Sequence, residues 1–318
     1  MDARQDFALA FLSILFEGAP FILLGTLVSG LLDVYLPAGA MERLLPKNRV
    51  AAVLVSCLLG AIFPVCECAV VPVIRRLVKK GLPVSCGLGY MLAAPIVNPI
   101  TALSTWKAFE GQSPLMMTGG RLGLGYLIAV AVALIVLRLP VGMVLKPSML
   151  AGPTPSPDES PAKGCCDHGC GCHRASPAVS SDGKLVAAFR SALKDFVDVG
   201  VWFSIGVALT AMFNTGIAPG ARWLDQVAQH PAGAPAALMG LAYVLSLCST
   251  SDAFIAATLD RFSWGAKLAF LVFGPMLDVK LTFLYQSVLR KRFILALAAG
   301  LFLAIGTLSM LWQVWLTR

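Results

Sequence analysis

The chain has 318 residues, of which 58% are hydrophobic and only 13% charged, with a mean hydropathy of +0.79. That balance excludes an ordinary soluble domain. The net charge of +8 does not point to nucleic acid, because most basic residues lie in short segments beside apolar runs, where membrane orientation accounts for them.

Apolar blocks fall at 7–36, 50–74, 84–108, 115–146, 186–213, 234–259, 264–289 and 293–316. Each is near or above the roughly 20 residues that a spanning helix needs. None alternates with period two, so a transmembrane β-barrel does not fit. With no water to satisfy free backbone groups, the blocks must be helical. The expected class is an all-α polytopic membrane protein, with the lipid bilayer as its first partner.

The first block lacks a basic leader, since Asp2 and Asp6 offset Arg4, and it is too long for a signal peptide, so it is expected to be retained. It contains Glu17. The second block leads into FPVCECAVVPVIRRLVKKG, where Cys66, Glu67 and Cys68 stand together. Free cysteine is a common buried residue. A carboxylate left unpaired in hydrocarbon, however, costs about 2.5 kcal/mol or more, so an ionisable residue at that depth marks a functional site by default. Thiolate sulfur selects Cu(I) and Zn(II) over hard cations. A CxC pair suits a two-coordinate Cu(I) site or half of a zinc site. The following Arg75, Arg76, Lys79 and Lys80 set orientation and meet anionic headgroups.

In the third block, Pro95 and Pro99 flank Asn98. Proline removes a backbone donor and frees a carbonyl, and unwound backbone of this kind lines transporter sites. The alternative is a kinked packing helix.

The segment 147–184 breaks the hydrophobic pattern and is rich in Pro, Ser and Gly, as in a flexible linker. It carries Cys165, Cys166, His168, Cys170, Cys172 and His173. Soft ligands on such a strand wrap Cu(I) or Zn(II) without a preformed fold. The spacing is not that of a zinc finger. Metal binding, rather than a disulfide framework, favours a reducing, cytoplasmic side for it.

Beyond the linker the pattern recurs. Glu17–Gly25 lines up with Asp198–Gly206 at an offset of 181, Cys68 with Cys248 at 180, and Ala94–Asn98 with Gly274–Asp278 at 180. Three short matches in order argue for duplication, so the expected division is a first transmembrane repeat over 1–146, the linker over 147–184 and a second repeat over 185–318. A two-fold internal repeat in a helical membrane protein is a transporter signature, with the site where the repeats meet. Two topologies compete. If all eight blocks span, the repeats are parallel and Arg290, Lys291 and Arg292 fall opposite the 75–80 run. If the blocks bearing Cys66–Cys68 and Cys248 are re-entrant hairpins, the repeats are inverted and the basic residues share one side, which the charge-bias rule favours.

The candidate substrate residues are therefore Cys66, Glu67, Cys68, Cys248, Asp252, Asn98, Asp278, Glu17 and Asp198. The two hairpin tips are expected to meet, and Lys280 to pair with Asp278. The candidate metal ligands are Cys66, Cys68 and the linker cluster. No GxxxxGK[ST] occurs, so an ion gradient or a separate partner must supply energy.

FEGAPFILLG, CECAVVPVIRRLVKKGLPVSCG and LAAPIVNPITALST resemble the ArsP-like predicted permeases. That family includes organoarsenical efflux permeases and a branch described as copper/zinc efflux transporters, and the His/Cys linker is similar to the second branch. The resemblance covers both hydrophobic halves. It implies a multi-pass permease of a bacterial inner membrane, acting in efflux, with cysteines at the substrate site. The expected activity is export of Cu(I) or Zn(II) from the cytoplasm by alternating access, the metal being substrate and not cofactor. The alternatives are a permease for trivalent organoarsenicals, a membrane thiol-redox protein using Cys66 and Cys68, and a metal sensor or assembly scaffold. No enzymatic activity is expected, and assembly with further copies of the chain is compatible with the sequence.

Overall fold

The computed structural model describes residues 3–35, 46–62, 66–147, 181–216, 233–259 and 261–316. Among these the chain is almost entirely helical, with no strand beyond an isolated antiparallel bridge between Leu145 and Leu289. The linker cluster Cys165–His173 lies outside the described residues.

The first half contains α1 (Ala3–Tyr35), α2 (Arg49–Ile62), α3 (Glu67–Lys79), α4 (Val84–Ala93), α5 (Pro99–Ala108) and α6 (Pro114–Leu137). The second contains α7 (Ser181–Gly216), α8 (Gly233–Leu245), α9 (Asp252–Thr258), α10 (Trp264–Met276), α11 (Val279–Tyr285) and α12 (Lys291–Leu316). A single helical turn at Val141–Val144 follows α6. Among the described residues, four segments, Phe7–Val28, Pro114–Leu137, Trp264–Tyr285 and Lys291–Trp315, are long and apolar enough to cross a membrane.

Two of the apolar blocks are broken for local reasons. Pro95 and Pro99 interrupt the block at 84–108. Asn98 is extended there and caps α5, its Oδ1 accepting from Ile100 N at 2.9 Å with Pro99 at the first helical position. Asp278 does the same at the start of α11, accepting from Leu281 N at 2.6 Å just after Pro275.

The contacts fix the direction of each helix. Ser56 Oγ donates to Cys86 O at 2.6 Å and Gly60 lies against Ala94 and Val97, so α2 and α4 run parallel. Gly87 lies against Ile74 and Val78, while Cys66 and Ala69 share a cavity with Asn98, so α3 runs antiparallel to α4. Helices α2 and α3 therefore run antiparallel to each other. At 14 and 13 residues each arm is about 20 Å long, short of the ~30 Å hydrocarbon core. In the second half, Gly274 lies against Ala242 and Val279 N donates to Ser246 Oγ at 3.2 Å, so α8 runs with α10 and α11. Lys267 Nζ reaches Ala257 O at 3.4 Å near the start of α10, and Cys248 lines a cavity with Lys280 in α11, so α9 runs back. Among the described residues, each half thus carries one antiparallel pair of short helices, α2 with α3 and α8 with α9.

These directions also place the charge. Lys47, Arg49, Pro83 and Val144 line one cavity, Arg290 N donates to Val144 O at 3.0 Å, and Lys146 N donates to Val288 O at 3.1 Å. Lys47, Arg49, Lys146 and the 290–292 run accordingly lie on one face, with the turn that closes the 75–80 run.

The long helices α1 and α7 run antiparallel. A side chain at Gly18 would meet Phe203, and one at Gly30 would meet Ala188 and Ala192. Farther along each, a glycine lets a shorter helix approach. A Cβ at Gly25 would stand 2.7 Å from Ala69 O in α3, and one at Gly206 would stand 2.7 Å from Lys280 Cα in α11. Both obstacles are backbone, so neither can swing away. Gly206→Val is expected to cost about 1–3 kcal/mol, read as a lower melting temperature in detergent. Gly240→Val, where nothing lies within 4 Å, is the control.

Candidate functional site

The N-terminal end of α3 and the non-helical segment 246–251 place the candidate residues together. Cys66, Glu67, Cys68, Cys248 and Lys280 line one small cavity with Ile14, Gly18 and Phe203. Its volume is about 20 Å³, room for a single water-sized particle. Cys66 and Cys248 also line a larger cavity of about 230 Å³, beside Asn98, Thr101, Ser249 and Thr250. Thiols from both halves thus face the same space. Cys66, Cys68 and Cys248 are all free, with Cys68 buried and the other two half-buried.

The carboxylate between the thiols is 2% exposed. It is not unpaired: Lys280 Nζ lies 3.3 Å from Glu67 Oε1, and Ser249 Oγ donates to Glu67 Oε2 at 3.4 Å. The same ammonium donates to Ser246 O at 3.0 Å and stands 3.6 Å from Asp278 Oδ2. The expected Lys280–Asp278 pair is present, but Lys280 serves Glu67 as well. A buried ion pair of this kind persists only when its remaining hydrogen bonds are met.

Asp252 lies at the start of α9, but its partner is Arg121 of α6, at 2.8 Å. Arg121 also donates to Thr105 Oγ1 at 2.8 Å and to Ser249 O at 2.9 Å. It thereby ties α6 and α5 of the first half to the tip of the second hairpin. Side-chain exposure is 1% for Arg121 and 4% for Asp252.

Asp198 does not line the small cavity. Its side chain is 49% exposed and pairs with Arg75 at 3.4 Å. The buried acid of that region is Asp195, which accepts from Arg76 Nε at 2.6 Å. The side chain of Glu17 lies outside the described residues, although its neighbour Gly18 lines the cavity. Among the described residues, no three His, Cys, Asp or Glu side chains stand close enough together to hold a metal ion. Glu67 and Asp278 are instead both turned to the ammonium of Lys280.

Sequence reasoning missed Arg121, Asp195 and the Glu67–Lys280 contact. For Arg121 a signal existed: it is a cation inside the apolar block 115–146, and an intramembrane charge implies a partner. The identity of that partner, 131 residues away, was not readable without the fold.

Comparison with known proteins supplies the wider setting. A family model described as a predicted permease, ArsP_1, matches residues 5–314. The chain is 36% identical over 288 residues to "UPF0718 protein YcgR" of Bacillus subtilis (strain 168), covering 90% of each chain. It is 32% identical over 286 residues to a "putative two-component membrane permease complex subunit" of Streptococcus mutans serotype c, covering 90% of this chain and 87% of that one. No solved structure matches.

Proposed function

We propose, for a chain that belongs to the ArsP_1 family of predicted permeases, that it exports a soft metal ion through the cavity where Cys66, Cys68 and Cys248 meet. The observation that carries the reading is that three thiols, two from the start of α3 and one from the segment 246–251, line one cavity of about 20 Å³. Two or three thiolates suit Cu(I). Zn(II) favours four ligands, and both nearby carboxylates are held by Lys280, so Cu(I) is the better fit of the two. Thiols must lose their protons to bind metal, so loading releases protons. A small rearrangement of the two tips has to bring the sulfurs onto the ion.

The halves support a mechanism of transport. Their helices follow the same order, and the first and last of each half are alike in length, at 33 and 36 residues in α1 and α7 and 24 and 26 in α6 and α12. The matching helices α1 and α7 run antiparallel, as a two-fold axis in the membrane plane requires. We read the chain as an inverted repeat over 1–146 and 185–318, which opens the tips alternately to each side. The basic face is taken as cytoplasmic under the positive-inside rule. That places the linker 147–184 inside, where Cys165, Cys166, His168, Cys170, Cys172 and His173 capture metal for the cavity, in the inner membrane of a bacterium. A second subunit is a further expectation, since one relative is named as part of a two-component complex.

Two experiments test this. In proteoliposomes the protein is expected to move Cu(I) faster than Zn(II), arsenite or methylated trivalent arsenicals. Flux of the arsenicals alone would replace the metal reading with the arsenical one. For topology, cysteines placed at Lys47 and Lys79 in a background without other cysteines should react with an impermeant maleimide from the same side. Reaction from opposite sides would exclude the hairpin.

A further inference from the structure

We infer that Lys280 determines specificity at this site, its ammonium filling an oxygen cage that would otherwise take a hard divalent cation. The inference rests on the thiol-site reading above and adds the reason that hard ions are refused. An ammonium has three donors, and around Lys280 Nζ stand three oxygens: Ser246 O at 3.0 Å, Glu67 Oε1 at 3.3 Å and Asp278 Oδ2 at 3.6 Å. Two carboxylates and a backbone carbonyl are the donor set that Mg²⁺, Mn²⁺ and Ca²⁺ prefer. The cage is assembled from three elements, α3, the segment after α8, and the cap of α11. It is buried throughout, with Glu67 at 2%, Asp278 at 1%, Ser246 at 3% and Lys280 at 5% exposure.

The plug is tethered firmly. Gly206 of α7 lets Lys280 Cα approach α7 at a distance no other residue type permits, which fixes where the side chain begins. A hard cation entering the site would have to displace an ammonium that already holds these three oxygens. A thiol-seeking ion need not compete, because Cys66, Cys68 and Cys248 line the same cavity and none of them is held by an ion pair. Tyr285 donates its hydroxyl to Met276 O at 3.0 Å, away from the cage oxygens. Glu67 thereby gains a definite role. It is a counter-charge for the plug, standing between the two thiols that flank it, and not a metal ligand.

The test is Mn²⁺ binding to the purified full-length protein, followed by loss of the six-line electron paramagnetic resonance signal of the free ion. It reads no transport, so its failure and the failure of Cu(I) flux are separate outcomes. Lys280→Met is expected to bind Mn²⁺ at least about tenfold more tightly than the unaltered protein, and Lys280→Arg to bind no more tightly than it. The double variant Glu67→Gln/Lys280→Met, which removes one carboxylate, is expected to lose the gain. If Lys280→Met does not purify as a folded species, Lys280→Gln is measured in its place. A folded, monodisperse Lys280 variant that binds Mn²⁺ no better than the unaltered protein would overturn the inference, as would tight Mn²⁺ binding by the unaltered protein itself.

Discussion

Arg121→Met is expected to destabilise the protein by about 3–5 kcal/mol, the usual cost of removing one partner from a buried ion pair. The substitution leaves Asp252 as an uncompensated charge at 4% exposure, and Ser249 O without its donor. It also removes the link between α6 and the tip of the second hairpin. The companion change tells charge from shape. Arg121→Met/Asp252→Leu removes both charges and is expected to recover most of the stability, because apolar replacement of a buried pair is often neutral or better. Transport should not recover with it, since the tip that carries Cys248 and Ser249 has still lost its anchor. Unfolding in detergent measures the first effect and proteoliposome flux the second. Arg121→Lys keeps the charge but cannot reach Asp252, Ser249 O and Thr105 together, so it should fall between the two.

Cys66→Ser, Cys68→Ser and Cys248→Ser are each expected to reduce Cu(I) transport by more than about 100-fold. Loss of a residue that only orients a metal ligand costs about 10–100-fold, and loss of a ligand costs more. Serine is close to cysteine in size and presents a hard oxygen, so the change removes the soft ligand with little disturbance of packing. Cys57→Ser and Cys86→Ser provide the contrast. Both side chains are buried in the core and neither lines the small cavity, so transport should survive any loss of stability.

Much of this architecture is legible in the sequence because the bilayer leaves few options. Hydropathy alone yields helices. Asn98 and Asp278 stand out as polar residues beside prolines, and the structure gives both the same task as helix caps. The acids were harder to place. Asp198 occupies the position that matches Glu17, yet it faces Arg75, while Asp195, one helical turn earlier, is the buried residue. A one-turn shift along a helix moves a side chain about 5 Å, and sequence matching cannot resolve which of two acids points inward. The partners of Glu67 and Asp252 were likewise invisible, because each lies in the other half of the chain. Lys280 is 213 residues from Glu67, and Arg121 is 131 from Asp252. Local pattern predicts that a buried charge needs a partner, but only the packing of the two hairpins names it.

The central claim is that thiols from both halves form one binding site for a soft ion. The most direct measurement is Cu(I) stoichiometry and sulfur coordination by X-ray absorption, on protein in which Cys165, Cys166, Cys170 and Cys172 are replaced by serine. That protein is predicted to retain one Cu(I) per chain with sulfur-only coordination, and to lose it in the Cys66→Ser/Cys248→Ser variant. Cu(I) retained unchanged by that variant, or held by nitrogen and oxygen alone, would contradict the claim.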